Sequence, residues 1–260
     1  MENTQHSSIV KVSEETWGKA QEFESYFMVL INRKNGYLKL FYKFFKALKS
    51  PKRLGQYLKY HDFYCGDDWN YWWLEQFDSY KVLPPSFDKM LEVGSGPYTN
   101  ARLVARIIEI KDMYFTDPLM HLYKAFRMTW LSDMFAKGKI HAETGKAEQI
   151  AYPDNFFDLV ICNNVLDHVE NAEQCMMEMF RVLQPGGYFI FGQELTSAED
   201  LERNHQWRDD VGHPIKLHGE FLDGLLNPSF EAKLKKVLTR EQGRVPAHNY
   251  GTYIYIGKKK

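Results

Sequence analysis

Short apolar runs alternate with longer helical stretches from Phe87 onward, and this alternation restricts the fold more than any other feature of the sequence. Strands that alternate with helices of ten or more residues form βαβ units, in which the strands are parallel. The sequence therefore predicts a doubly wound α/β sheet. The predicted strands are 88–93, 113–116, about 139–144, 156–163 and 186–193, and the predicted helices are 101–111, 119–135 and 171–183.

The C-terminal stretch departs from this alternation. FEAKLKKVLT (230–239) and YGTYIYIGKKK (250–260) both have the pattern of a strand, with a loop and no crossover helix between them. Such a loop joins antiparallel strands. We therefore expect an antiparallel pair at one edge of the sheet.

The first 85 residues predict helices, beginning with Ser13 as an N-cap. A Pro84-Pro85 pair marks a joint with the remainder. We therefore divide the chain into a helical cap that covers a substrate, 1–85, and a main domain, 86–260. A second helix of this cap is amphipathic, with Tyr37, Phe41, Phe44, Phe45 and Leu48 on one face and Lys39, Lys43 and Lys46 on the other.

A glycine turn follows the first predicted strand in LEVGSGP (91–97). The dinucleotide fingerprint has a third glycine where this chain has Thr99, so the turn argues mildly against a nicotinamide cofactor. Glu92 at the strand end suits a ligand with positive charge. Asp117, at the end of the second strand, suits the ribose hydroxyls of an adenosine ligand.

These features extend into a longer resemblance. LEVGSGP, TDP (116–118), GKAEQIAYPDNFFDLVICNNVLDHVEN (145–171) and RVLQPGG (181–187) resemble the class I S-adenosylmethionine-dependent methyltransferases in order and spacing across residues 88–193. The similarity is greatest to the branch that methylates small molecules. It implies a Rossmann-like seven-stranded sheet whose last strand pair is antiparallel. It also implies S-adenosylmethionine as cofactor and S-adenosylhomocysteine as product.

The resemblance assigns cofactor contacts position by position. The turn would meet the methionine and ribose part, the acid after the second strand the ribose hydroxyls, and the residues after the third strand the adenine. Many relatives have an acid where this chain has Lys146, so Glu148 or a backbone carbonyl would read the adenine amine. The implied residues are Glu92, Gly94, Ser95, Gly96, Asp117, Pro118, Leu119, Ala147, Glu148, Asn163 and Asn164.

Methyl transfer depends on holding the acceptor in line, and it needs a general base only where the acceptor proton is tightly held. His168, His213 and Glu194 are the catalytic candidates. Each has a structural alternative: backbone packing for His168, loop anchoring for His213 and helix capping for Glu194. His205 and Trp207 are further candidates for the pocket rim, and no metal site is predicted.

Aromatic and basic residues of the cap leave two interpretations open. Trp69, Tyr71, Trp72 and Trp73 form either a lid near the sulfonium or packing of the cap on the sheet, and packing is favoured for most of them. Residues 31–60 contain nine Lys or Arg and no Asp or Glu. We expect the aromatic face of this segment on the core and its lysines in solvent. The alternative is peripheral contact with an anionic membrane or an acidic partner.

Composition argues against a nucleic-acid-binding protein and against a membrane-spanning one. A formal net charge of -1 gives no reason to expect nucleic acid. Three cysteines without metal-ligand spacing indicate a reducing, cytoplasmic location, and we expect neither a signal peptide nor a spanning segment. The oligomeric state is not predicted.

The expected activity is methyl transfer to oxygen or nitrogen of a small metabolite, natural product or sugar, or of a modified peptide. Two alternatives remain open: a nicotinamide-dependent oxidoreductase, and a non-catalytic protein that uses the basic segment at a membrane or partner.

Overall fold

Seven strands form one mixed sheet in the order β3-β2-β1-β4-β5-β7-β6. The computed structural model describes residues 8–60, 64–66, 69–196, 210–243 and 251–260. Five strands are parallel, and β7 is antiparallel to both β5 and β6, which confirms the predicted architecture. The strands are β1 Ser86–Val93, β2 Glu109–Asp117, β3 His141–Thr144, β4 Phe157–Asn163, β5 Leu183–Leu195, β6 Phe230–Leu238 and β7 Gly251–Lys259.

The central strands are buried on both faces, as continuous apolar runs predict. Successive residues of β4 point to opposite faces: Leu159 and Ile161 belong to one apolar cluster, and Val160 and Cys162 belong to the other. The helices that cover these faces are α1 Glu14–Arg33, α2 Tyr37–Leu48, α3 Pro51–Tyr60, α4 Trp69–Gln76, α5 Ala101–Val104, α6 Met120–Tyr123, α7 Trp130–Ala136, α8 Ala172–Val182 and α9 Gly219–Ser229.

Two predicted helices are shorter than expected. The helix predicted over 101–111 ends at Val104, and β2 begins at Glu109 because the isoleucine-rich run that follows pairs with β1. The helix predicted over 119–135 is divided into α6 and α7. Met128 has a left-handed backbone (φ 56°), and Thr129 caps α7 by accepting a hydrogen bond from the Ser132 N–H.

The helical cap and the sheet share one apolar core. Trp73, Leu74 and Phe77 of the α4 region pack in the same cluster as Met90 of β1 and Ile161 of β4. The N-terminal segment is also attached to the main domain, through bridges between Ile9 and Lys216 and between Lys11 and Asn171. Ser13 caps α1 as predicted, accepting from the Thr16 N–H. The cap therefore lies on the sheet by apolar packing and short backbone pairings.

The predicted orientation of α2 is wrong. Its aromatic face points outward, with Tyr37 76% and Phe41 60% exposed. Two of its lysines turn inward: Lys39 Nζ donates to Asn35 Oδ1 at 2.7 Å, and Lys43 Nζ donates to the carbonyl of Tyr64 at 3.2 Å. Lys43 Nζ also lies 5.9–6.0 Å from the centroids of two tyrosine rings of the cap. These polar and cation–π contacts hold the lysine face against the cap.

Trp73 provides a test of the shared core. It is 2% exposed and stacks on Phe77 at 5.9 Å. We expect Trp73→Ala to lower the free energy of unfolding by about 3–5 kcal/mol, measured by urea denaturation, because a large cavity would remain beneath the cap. Trp72→Ala is the matched control, since its neighbouring ring is only partly buried. Equal losses from the two variants would contradict this packing.

Candidate functional site

A cavity of about 590 Å³ lies at the carboxyl ends of β1, β2 and β4. This edge, where connections depart to both faces of the sheet, is the usual ligand position in doubly wound folds. The floor is formed by the turn after β1, by Asp117 and Pro118 at the end of β2, and by Asn163 and Asn164 at the end of β4. Helix α1 forms the opposite wall. A cavity of this size accommodates a ligand as large as a nucleoside derivative.

Glu92 holds the glycine turn from behind. Its carboxylate accepts hydrogen bonds from the Thr99 hydroxyl and from the backbone N–H groups of Asn100 and Ala101, the last two at 2.9 and 3.1 Å. It is 1% exposed and is not among the described residues that line the cavity. The structure thus places Glu92 behind the glycine turn and outside the cavity lining, in contrast to the direct ligand contact that we expected. Burial raises its pKa to about 7, against these hydrogen bonds.

Asp117 holds the same turn from the front and lines the cavity. Its two carboxylate oxygens accept from the backbone N–H groups of Gly96 at 3.0 Å and Leu119 at 2.8 Å. Burial, followed by the charge of Glu24 on α1, raises the pKa of Asp117 to about 7. Each carboxylate oxygen can accept more than one hydrogen bond, so Asp117 can still receive hydroxyl groups of a ligand.

The glycine turn closely approaches the segment that follows β4. Gly94 has a left-handed backbone (φ +62°), and a Cβ at this position would lie 2.5 Å from the Cγ1 atom of Val165. Gly96 is also left-handed (φ +55°) but has open space where a side chain would point. Ser95 donates its hydroxyl to the Gly96 carbonyl at 3.2 Å. The turn therefore exposes backbone groups, and few side-chain atoms, to a ligand.

The residues predicted beside the adenine have mixed positions. Pro118 and Ala147 line the cavity, whereas Leu119 is buried outside it. Glu148 lines the cavity, but its Oε1 already accepts from the backbone N–H groups of Glu170 and Asn171 at 2.7 and 3.1 Å. Lys146 stands where many relatives have an acid, and it offers no carboxylate for the adenine amine.

Lys146 instead supports the wall formed by α1. Its Nζ lies 3.8 Å from the ring centroid of Trp17 and 3.2 Å from Glu170 Oε2. Trp17 lines the cavity. The departure at Lys146 is therefore accompanied by an aromatic partner from the cap.

The end of β4 presents two asparagines to the cavity. Asn164 has a left-handed backbone (φ 57°), and its Oδ1 accepts from the Glu194 N–H at 3.2 Å. Asn163 is 8% exposed, and neither polar atom of its side chain has a hydrogen-bond partner among the described residues. A buried amide without a partner points to a ligand or water as its missing partner.

Two histidines lie side by side in the cavity lining. The ring centroids of His168 and His213 are 4.5 Å apart, and His213 Nδ1 lies 2.7 Å from Asp210 Oδ2. Burial opposes a charge on His213, but the hydrogen bond to Asp210 and the charge of Asp167 raise its pKa to about 9. His213 is thus protonated at neutral pH. Glu194 lines the same cavity.

Asp167, His168 and His213 have ligand atoms within 4.8 Å of one another, a separation compatible with metal binding. Protonation of His213 would compete with such binding, because an imidazole must be neutral to bind a metal.

Helix α1 contributes cavity residues that the sequence analysis did not single out. Glu24 places Oε2 3.9 Å from His168 Nδ1, and Gln21 Nε2 donates to the His168 carbonyl at 3.2 Å. Phe23 and Phe27 stack with ring centroids 6.4 Å apart and also line the cavity. The sequence signal for these residues is the amphipathic pattern of α1, which does not identify the surface that α1 covers.

Of the four aromatic lid candidates, Trp73 lines the cavity, whereas Tyr71 and Trp72 are not among its described lining residues. The side chain of Trp69 lies outside the described residues, as do His205 and Trp207. Acidic groups predominate around the cavity and suit a cationic ligand. The carboxylates are Glu24, Asp117, Glu148, Asp167, Glu194 and Asp210, and the basic groups are His168, His213 and Lys216.

A family model described as a methyltransferase domain matches residues 91–191. These residues run from the glycine turn through β5 and carry the floor of the cavity. Residues 91–191 therefore form a methyltransferase domain of the S-adenosylmethionine-dependent kind.

The methyltransferase relatives are matched over part of their length. The chain is 27% identical over 102 residues to the ubiquinone/menaquinone biosynthesis C-methyltransferase UbiE of Vibrio cholerae, covering 39% of each protein. It is 30% identical over 181 residues to the sterol 24-C-methyltransferase of Yarrowia lipolytica, covering 66% of this chain and 47% of the relative. The chain thus spans less than half of the length of these relatives.

Solved structures show the same fold. The N-methyltransferase NodS from Bradyrhizobium japonicum, in complex with S-adenosyl-L-homocysteine, matches with a TM-score of 0.52 at 16% identity. The match covers 74% of this chain and 86% of NodS.

The methyltransferase cavity fits the cofactor of the family. S-adenosylmethionine has a ribose with two hydroxyls, a positively charged sulfur, and an amino-acid end with one ammonium and one carboxylate group. Asp117 provides a hydroxyl acceptor, and the side chain of Asn163 provides unpaired donor and acceptor atoms. The excess of carboxylates suits the sulfonium and the ammonium group, which together outweigh the single carboxylate of the ligand. The residues present are therefore compatible with S-adenosylmethionine.

The raised pKa of Asp117 predicts a pH-dependent stability of the ligand-free protein. Between pH about 4 and 7 the unfolded chain has lost this proton and the folded chain retains it, so Asp117 lowers the free energy of unfolding as pH rises, by about 1.4 kcal/mol per pKa unit. Below that range it contributes nothing. Asp117→Asn removes the term, so the stability of the variant relative to wild type should rise from pH 5 to pH 7.5 in urea denaturation.

Asp112→Asn, an exposed change on the same strand, is the control and should show no such trend. A difference between Asp117→Asn and wild type that is constant across this pH range would contradict the raised pKa.

Proposed function

We propose that this chain transfers the methyl group of S-adenosylmethionine to an oxygen or nitrogen atom of a small organic acceptor, with S-adenosylhomocysteine as product. The observation that supports this most is that one cavity is lined both by Asp117 with the glycine turn and by the His168–His213–Asp210 group. A metabolite, natural-product scaffold, sugar or modified peptide fits the same chemistry.

The cofactor supplies a methyl group on a positively charged sulfur. Asp117 would accept the ribose hydroxyls, and the backbone at 94–96 would meet the amino-acid end. Pro118 and Ala147 would lie against the adenine, as both line the cavity. Asn163 would hydrogen-bond the ligand through its unpaired side-chain amide. Glu92 would act indirectly, by holding the turn in shape.

The His168–His213 pair would bind the polar group of the acceptor. The imidazolium of His213 donates to Asp210, and its ring lies beside His168, so both can orient a hydroxyl or amine. His213 can accept an acceptor proton only after losing its own, near pH 9. Helix α1 covers the cavity and would exclude water, which favours holding two reactants in line.

The relatives differ in the atom that they methylate, since UbiE and the sterol enzyme are C-methyltransferases and NodS is an N-methyltransferase. The charged His168–His213 pair in this cavity favours an oxygen or nitrogen atom as the methyl acceptor. We also propose a cytoplasmic location, because Cys65, Cys162 and Cys175 are free and buried, as is usual in a reducing compartment.

Binding of the cofactor product is the direct test. S-adenosylhomocysteine should raise the melting temperature of the protein, because a ligand of the folded state alone stabilises it. Asp117→Asn should weaken binding by about tenfold or more in isothermal titration calorimetry, because a charged hydrogen-bond acceptor is lost.

Asp112→Asn, exposed on the same strand, should bind like wild type. No melting shift at saturating ligand would refute the proposed cofactor. Equal weakening by the two variants would refute the ribose assignment.

His213 predicts a pH profile for methyl transfer. If His213 takes the acceptor proton, kcat should rise with pH up to about 9, and His213→Gln should remove this rise and lower kcat about 100-fold. His121→Gln changes an exposed histidine and should leave the profile unchanged. A His213→Gln variant that keeps the rise would show that His213 positions the acceptor.

A further inference from the structure

An outward-facing apolar band runs along α2. Its six side chains lie on two adjacent helical rows and are between 47% and 86% exposed. They are Tyr37, Leu38, Phe41, Tyr42, Phe45 and Leu48, and we call them the α2 band. A contiguous patch of large apolar side chains on a soluble domain marks a surface that contacts something.

The orientation of the α2 band is fixed from inside the molecule. Ala47 is buried, and Phe44 packs on Tyr57 with ring centroids 5.8 Å apart. Lys39 and Lys43 make the inward hydrogen bonds described above. Rotating α2 to bury the band would break these contacts. The exposure of the band is therefore a consequence of packing on the opposite face.

Positive charge surrounds the α2 band. Residues 31–60 contain nine Lys or Arg and no acid, and seven of the nine are exposed. Lys46 and Lys49 lie within the α2 region itself, and Lys52 on α3 reaches Glu75 at 2.8 Å. The seven exposed residues are Arg33, Lys34, Lys46, Lys49, Lys52, Arg53 and Lys59.

We propose that the α2 band and its surrounding basic residues adsorb to an anionic lipid bilayer, with α2 lying in the plane of the interface. Aromatic and leucine side chains on one face, with lysines beside them, are the composition of interfacial helices. The helix has 12 residues, and no described helix is long and apolar enough to cross a bilayer. The α2 band would therefore lie on the membrane surface, and α2 would not cross the bilayer.

Charge argues against a second copy of the chain as the occupant. A symmetric contact through this surface would bring two acid-free basic segments together, and like charges repel. A bilayer with anionic headgroups complements both properties at once, because it offers negative charge at the surface and hydrocarbon directly beneath it. The occupant that matches the band and the charges together is therefore lipid.

Co-sedimentation with vesicles tests this proposal. The full chain should sediment with phosphatidylcholine vesicles that contain phosphatidylglycerol, and binding should decrease in high salt. Phe41→Ser/Phe45→Ser should lower the partition coefficient at least about tenfold, since two buried rings are lost from the interface. Lys46→Gln/Lys49→Gln should lower it by about fivefold for each lysine.

The matched control is Met177→Ser/Val237→Ser, which removes two apolar side chains of similar exposure, 52% and 53%, from α8 and β6. It should bind vesicles like wild type, and circular dichroism should confirm that all variants are folded. Three outcomes would overturn the proposal: no binding to anionic vesicles, equal losses in the band variant and the control, or a dimer in light scattering that Phe41→Ser/Phe45→Ser converts to a monomer without any vesicle binding.

Discussion

Two buried carboxylates on neighbouring strands determine the shape of the ligand site. Strands β1 and β2 are parallel and pair Glu92 with Phe115 and Val93 with Thr116, so both strands end at the same edge of the sheet. Glu92 draws in residues 99–101 and Asp117 draws in Gly96. The turn is therefore held from both sides by charge-assisted hydrogen bonds. Removing these acids from water raises both pKa values, which is the cost of a fixed turn.

The sequence predicts the sheet and the identity of this turn, but not the direction in which each acid points. Spacing places Glu92 beside the glycines, and it fits a ligand contact and a contact with the turn equally well. The difference depends on Thr99, whose hydroxyl reaches back to the carboxylate from seven residues away. The same residue occupies the position of the missing third glycine. Thr99, which argued against a dinucleotide cofactor, is thus one of the residues that hold the turn in shape.

Helical periodicity likewise separates the two faces of α2 without showing which one is buried. An apolar face is normally the buried one. Here the partners that reverse this rule come from distant parts of the cap, since Lys43 meets the carbonyl of Tyr64 and lies over two tyrosine rings. A lysine can be buried along its stem when its ammonium group has such partners. No local pattern encodes these contacts, so the orientation follows from tertiary structure alone.

Helix α1 contributes charge as well as shape to the cavity. Burial, followed by the charge of Glu24, raises the pKa of Asp117, and Glu24 Oε2 also lies 3.9 Å from His168 Nδ1. The bridges at Ile9 and Lys11 attach the segment before α1 to the loops that carry Lys216 and Asn171. The helix that covers the cavity therefore also adds a negative charge to its lining. A cationic ligand would compensate Asp117 and Glu24 together, so the same helix that shapes the cavity also favours positive charge inside it.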